Sequence, residues 1–481
     1  MDFPEDIWNL IVTYLTPEDL RGLIGVNRAF LHAALNVRYR HITFRSRNRK
    51  ELYDFTMLQD PFIASRVRVL SLTPTCFLPK SSDPPPKIAN KFYGAAINFI
   101  YSSNPRIVGF GTPQSVAKKM DHIFANLTYL DELTLTCFDS WAVSPTARTI
   151  IDSVWYRLRD NIHTLTLDMP SLALEQAIAP SLVFPNLEAL TLTTHRSYSS
   201  TDVEMLRIFS SISLPFITNH RQTLRRFSLV DQGIYYFDFS PFLHGLGYFP
   251  RLKHVGVSIV FEAAPGLWHF LGLHSKQLEL LSISQRQLGE PPPYDGPALS
   301  ALKILNLRLT AYTTTFMASL QRGSSIEVLK LHSCSYYQSE ISRVLDIFAS
   351  HQMQSLLIWL DTLNPQVLDY MSETFPNLRA LSLRIGDFTV SGVKQWDYSS
   401  MEHLVKIILL KIVFLHLLNP AQFYEAITKK DYSHWQPHVF NLEVTGPSSV
   451  RCEAALQKVF PQISMEHISI GRGIQDSGMH W

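Results

Sequence analysis

The chain has few cysteines, no surplus of either charge and no long uninterrupted apolar run. Its four cysteines, Cys76, Cys137, Cys334 and Cys452, are widely spread. None forms a Cys-x-x-Cys pair or stands at Cys/His ligand spacing, so no metal site and no cofactor are expected. Reduced thiols in a cytoplasmic or nuclear protein are the simpler reading. Basic residues exceed acidic ones by 43 − 41 = +2, too even a balance to favour nucleic acid or an anionic membrane as partner. The densest basic cluster, Arg45-Ser-Arg47-Asn-Arg49-Lys50, reads as a solvated linker, with a nuclear-import or nucleic-acid patch as the alternative. The most apolar stretch, Leu404 to Leu418, is shorter than the roughly 20 residues a membrane span needs. Lys406, Lys411 and His416 interrupt it, so a buried strand and turn is expected there. Acids follow the first methionine where a signal peptide carries bases, so no secretory signal is expected. Catalytic motifs are missing too: there is no glycine-rich phosphate loop, no GxSxG and no HExxH. The nearest histidine pair, His434 and His438, has no acidic or cysteine companion. A non-catalytic protein is expected.

What is present is a 46% hydrophobic composition, enough to build a core, and two distinct apolar patterns. The first occupies residues 1–44. Pro4 suits a first helical turn, and Glu5 and Asp6 complement the positive end of the helix dipole. Ile7, Ile11, Tyr14 and Leu15 recur at helical spacing on one face, which Trp8 and Val12 widen. Thr16-Pro17-Glu18-Asp19 then starts a second helix with a cap, a proline and two acids, and Leu20, Leu23 and Ile24 form its apolar face. Gly25 breaks it. Asn27 caps a third helix expected to bury Phe30, Ala34 and Val37. A unit this short has a marginal core, which suggests a docking module that leans on a partner or on the chain behind it.

The residues Phe3-Pro4-Glu5-Asp6-Ile7, Leu15, Asp19-Leu20, Leu23 and Val26-Asn27-Arg28-Ala29-Phe30 resemble the F-box in order and spacing. The family usually has Leu before the proline and often Cys-Lys or Cys-Arg where Asn27-Arg28 stands. The resemblance covers less than a tenth of the chain. It implies docking to the Skp-type adaptor of an SCF (cullin–RING) ubiquitin ligase, and through it to the cullin. By the match, Pro4, Ile7, Ile11, Leu15 and Leu20 are the adaptor-binding residues, while Val26 and Phe30 serve the internal core. A generic helical cap on a repeat array is the plainer alternative.

The second pattern is apolar-x-x-apolar-x-apolar, repeated from Val67-Arg-Val-Leu70-Ser-Leu72 to Met465-Glu-His-Ile468-Ser-Ile470. Its middle anchors at 255, 281, 305, 329, 356, 381 and 407 are 24 to 27 residues apart, the period of leucine-rich repeats. Phe184-Pro-Asn-Leu187, Phe249-Pro-Arg-Leu252 and Phe375-Pro-Asn-Leu378 stand in one register before their strands, where proline ends the returning helix. Each unit is a strand and a helical or irregular return that buries its apolar edge only against its neighbours. Spacing before 255 is irregular, and the usual Asn or Cys after the strand appears once, as Cys334. Proline-rich insertions at Pro79–Lys87 and Glu290–Pro297 read as rigid loops.

The whole chain is thus similar to the F-box/leucine-rich-repeat proteins of fungal type. The expected fold is an α/β solenoid: a three-helix F-box (1–44), a linker (45–65) and an irregular leucine-rich-repeat horseshoe of about 14 repeats (66–481). The expected function is substrate recognition for an SCF ligase, with a non-degradative scaffold on the same adaptor as the alternative. Strand residues between and beyond the anchors face outward. They are small and polar early (Thr164, Thr166, Thr191, Thr193, Ser228) and larger or basic later. Arg308, Lys330, His332, Trp359, Arg384 and Lys406 are the candidate contacts for a protein substrate bearing acidic or phosphorylated groups.

Overall fold

The computed structural model describes residues 5–46, 48–77, 113–137, 145–195, 201–233, 237–260, 265–285, 293–308, 314–332, 338–349, 352–362, 370–371, 374–387, 409–414 and 439–444. They fall into two compact units, Met1–Tyr235 with Phe249–Arg251, and Tyr236–Tyr248 with Leu252–Trp481.

The first unit opens with three short helices, α1 (Glu5–Val12), α2 (Pro17–Gly22) and α3 (Arg28–Tyr39). Their boundaries follow from the expected caps. The Thr16 hydroxyl accepts the Asp19 N–H while the Asp19 carboxylate takes the Thr16 N–H, a reciprocal box that starts α2. Asn27 Oδ1 accepts the Phe30 N–H at 3.0 Å and starts α3. The core between the helices is Leu20, Phe30, Ala33 and Ala34, with Trp8, Ile11, Val12, Leu15 and Leu23 packed at its margin. Trp8 meets Phe30 edge to face at 5.4 Å between ring centres.

Behind them six strands pair in sequence order, all parallel: β1 (His41–Phe44), β2 (Val69–Leu72), β3 (Glu132–Thr136), β4 (Thr164–Pro170), β5 (Ala189–His195) and β6 (Arg226–Asp231). Two inward rows run through them, Ile42–Leu70–Leu133–Leu165–Leu190–Phe227 and Phe44–Leu72–Leu135–Leu167–Leu192–Leu229, and every member is buried. Helices return between strands: α4 (Arg49–Met57), α5 (Pro61–Ala64), α6 (Pro113–Asn126), α7 (Pro145–Leu158), α8 (Ser171–Ala177), α9 (Asp202–Ile208) and α10 (Leu214–Thr218). Asp121 holds Arg157 bidentately between α6 and α7, and Glu175 holds Arg207 the same way between α8 and α9.

In the second unit eight more parallel strands pair in order. They are β7 (His254–Ile259), β8 (Leu280–Gln285), β9 (Ile304–Arg308), β10 (Val328–Leu331), β11 (Ser355–Thr362), β12 (Ala380–Asp387), β13 (Leu409–Phe414) and β14 (Val439–Val444). The returning helices are α11 (Ser240–Leu246), α12 (Pro265–Leu273), α13 (Thr314–Gln321) and α14 (Gln338–Ile347). Val255, Leu281, Leu305, Leu329, Leu356 and Leu381 form one buried row. Each unit is therefore a succession of strand-and-return repeats in which neighbours bury one another's apolar edges.

Both units share a register device at the strand entrances. One carbonyl accepts two N–H groups from the next repeat: Asp131 takes those of His163 and Thr164, and Lys303 those of Glu327 and Val328. The residue carrying that carbonyl follows a buried apolar one (Leu130, Leu302), so burial fixes which backbone group faces the neighbouring coil.

Several expectations need correction. The stretch 45–65 is no solvated linker. It holds α4 and α5, and Glu51, 6% exposed, pins its first turn by accepting the Arg45 and Ser46 N–H groups at 3.1 and 2.8 Å. The ladder begins earlier than expected, at His41, because Tyr39, Ile42 and Phe44 already carry the buried repeat pattern. Val37 is exposed instead of buried under α3, and Val26 is exposed while Phe30 alone of that pair serves the core. Leu410 takes the anchor position expected at residue 407, pairing with Leu381, and Phe440 pairs with Leu410 in turn. The run from 404 to 414 offers aliphatic residues in several registers, so the pattern alone leaves it ambiguous. The final repeat at 465–470 and the proline-rich insertion at 79–87 lie outside the described residues.

Candidate interaction surfaces

Two surfaces stand out, one on the helical module and one on the strands. In the module, a four-residue core cannot take up every apolar side chain of α1 to α3. Leu10 is 55% exposed, Val26 59% and Tyr14 81%, and Ile7 and Ile24 are also exposed. Scattered exposed apolar residues are ordinary; this many within one three-helix unit of so small a core is what a docking surface offers.

The expected adaptor-binding residues divide between the two roles. Ile7 is on the outside. Ile11 and Leu15 are half-buried and pack on the core margin, and Leu20 is inside the core at 3% exposure. Pro4 lies outside the described residues. Leu10 is not among the residues singled out above, although it stands three residues after Ile7 and four before Tyr14, at the edge of the same helical stripe. That i, i+3 and i, i+4 spacing to Ile7 and Tyr14 is the signal that marks it.

On the strands, register brings the outward positions into rows. In the first unit one row reads Thr43–Ser71–Thr134–Thr166–Thr191–Ser228, hydroxyl side chains throughout and none of them buried. The matching row of the second unit reads Gly256–Ser282–Asn306–Lys330–Leu357–Ser382–Lys411–Asn441. Thr193 departs from the outward expectation and is buried at 8% exposure.

The candidate substrate contacts are placed as follows. Lys330 is half-buried in that second row and Arg308 is exposed two positions beyond Asn306. His332 continues β10, its N–H donating to the Leu307 carbonyl at 2.7 Å, which sets it beside Arg308. Trp359 and Arg384 are direct register partners in β11 and β12. Lys406 lies outside the described residues; Lys411, which the sequence reading did not single out, shares the row with Lys330. Asn306 also departs from the outward expectation: it is buried at 4% exposure and its Nδ2 donates to Ser282 Oγ at 3.0 Å.

Among the described residues no group of three His, Cys, Asp or Glu is placed to hold a metal ion, and no helix is long and apolar enough to cross a membrane. Cys137 is buried and its thiol is pushed up to about 12 by burial and the nearby Asp168 charge, which makes it inert.

No protein-family model and no curated protein matches this chain. Among solved structures, a chain of the Toll–Spatzle complex of Drosophila, described as a molecular hub in development and innate immunity, aligns at 12% identity with a TM-score of 0.31. The alignment covers 67% of this chain and 45% of that one, so this chain spans less than half the length of its solved neighbour, and a likeness this distant carries no argument.

Proposed function

We infer that the protein is a non-catalytic receptor: an F-box-like helical module that docks on a Skp-type adaptor, and behind it leucine-rich repeats that capture a protein substrate for a cullin–RING ubiquitin ligase. The observation that carries this reading is the apolar surface of the three-helix module. Leu10, Tyr14, Val26, Ile7 and Ile24 remain in water while Leu20 and Phe30 are enclosed. Covering such side chains contributes roughly 25 cal/mol for each Å² removed from water, so a partner helix laid on them stabilises both chains. The repeats support the second half of the reading, because a parallel ladder displays long rows of outward side chains on a rigid backbone. No acid–base or nucleophilic group is needed in such a subunit. It raises the effective concentration of substrate near the ligase's ubiquitin carrier.

The test is co-purification of the full chain with a Skp-type adaptor. Leu10→Asp with Tyr14→Asp abolishes capture if the reading holds, because two charges then face an apolar partner, while an unchanged melting curve shows that the fold survives. Retention of the adaptor by the double variant contradicts the reading. Replacement of Arg308, Lys330 and Arg384 by Ala then asks whether the second-unit row captures substrate; unaltered capture discards that row.

A further inference from the structure

We propose that a groove at the strand entrances of the first unit binds an extended peptide through an oxyanion, carboxylate or phosphate, gripped by Arg40, Arg66 and Arg68. The groove has a volume of about 860 Å³ and runs from the end of α3 past the entrance of β2 to those of β3 and β4. This proposal does not depend on adaptor docking.

Two features argue for it. First, the three arginines crowd one end, where the Arg40 carbonyl accepts the N–H groups of both Arg68 and Val69 at 2.9 Å, so Arg40 and Arg68 are neighbours across the ladder. None of the three is ion-paired among the described residues. Second, two of the guanidiniums are already held in place. That of Arg66 lies 4.3 Å from the centre of the Phe62 ring and donates to the Asn36 side chain and the His32 carbonyl. That of Arg68 lies 4.7 Å from the Tyr129 ring and donates to the Tyr129 carbonyl at 3.1 Å. Stacking and carbonyl bonds orient these forks at little further entropic cost, the condition under which arginine recognises an oxyanion well.

Beyond Arg68 the groove changes sign, because the Arg68 carbonyl accepts the N–H groups of Asp131 and Glu132 at 2.8 and 2.9 Å and so sets these acids one strand away. Asp131 is taken by His163 at 2.9 Å and Asp160 lies 3.6 Å from Arg159, but Glu132 is exposed and in no ion pair among the described residues. A peptide carrying an acid or phosphate followed by a lysine matches both ends. Its polarity is then fixed by charge.

The experiment uses the full chain and fluorescein-labelled glycine–serine peptides, read by fluorescence anisotropy at low and physiological salt. One peptide carries Asp-Asp, a second phosphoserine, a third plain serine, and a fourth Asp-Asp with Lys two residues later. Binding of the Asp-Asp or the phosphoserine peptide above the plain one is expected, and the stronger of the two identifies the oxyanion. Arg40→Glu with Arg68→Glu is expected to weaken it at least ~10-fold, the scale of losing a charge-assisted hydrogen bond. Should that variant fold poorly, Glu132→Lys is expected to erase the advantage of the lysine-bearing peptide. Equal binding of all four peptides, or charge-reversed and wild-type chains with equal affinity, overturns the proposal.

Discussion

Among the residues whose burial is described, the aliphatic anchors of the strand ladders are enclosed; in the three-helix module about as many apolar side chains stand outside as within. Leu165, Leu229, Leu305 and Leu329 are fully buried, whereas Leu10, Tyr14 and Val26 are more than half exposed. Both regions draw on the same residue types, so hydrophobicity is not what separates them. Stacking is. A repeat has a neighbour on either side to close over its apolar edge, and the module's short helices rest mainly on one another, with α3 also held by Arg66 behind it. Apolar residues inside serve the fold, and those left outside contribute little to it.

That contrast can be broken in several ways. The largest effect is expected in the ladder. Leu165→Ala or Leu329→Ala removes a fully buried anchor between two neighbouring strands, costing about 2–5 kcal/mol in denaturant unfolding. A loss below 1 kcal/mol would mean that the rows are loosely packed. Next comes Gly266→Ala in α12. A methyl group there would lie 2.0 Å from the Ser240 carbonyl oxygen, so the two helices must separate. Overpacking of this kind costs about 1–3 kcal/mol or more, visible as a lower melting temperature.

A smaller, pH-dependent effect belongs to His220. Its Nδ1 donates to the Phe216 carbonyl at 2.8 Å and its Nε2 accepts the Phe184 N–H at 2.9 Å, so both ring nitrogens are committed in the neutral form. Burial lowers its pKa, partly opposed by the bond to Phe216. A depressed histidine pKa means that the unfolded chain takes up the proton first. The contribution is therefore complete above the ordinary pKa of about 6.5 and is lost as pH falls below it. Melting temperatures measured from pH 7.5 to 5 should decline, and His220→Gln should flatten the decline; an unaltered slope would assign it to other groups. The smallest effect on stability is expected in the module. Leu10→Ser and Tyr14→Ser change it by no more than about 0.5 kcal/mol, because these side chains are already in water. A loss of several kcal/mol would show that they support the fold.

Much of the ladder was legible in the sequence because one signal, apolar anchors at fixed spacing, is repeated and each copy corrects the others. The capped starts of α2 and α3 were legible for a local reason: Thr16 and Asn27 act on N–H groups three residues away. Three things were not legible. The first strand was read as the end of the three-helix module, since His41–Phe44 is four residues long and flanked by basic ones. The register of β13 was ambiguous among interchangeable aliphatics. Most telling is Leu20, which looked like an adaptor contact and is core, while Leu10 is exposed. Helical spacing shows that two residues share a face. It does not show which face the other helices cover.

Hydrogen exchange on the full chain, with and without a Skp-type adaptor, tests the central contrast most directly. The account predicts fast exchange across residues 5–39 in the free chain, slow exchange in the strands around Leu165 and Leu329, and marked slowing of the module alone when the adaptor is added. Module amides as protected as the strands before addition, or unmoved after it, would contradict the account.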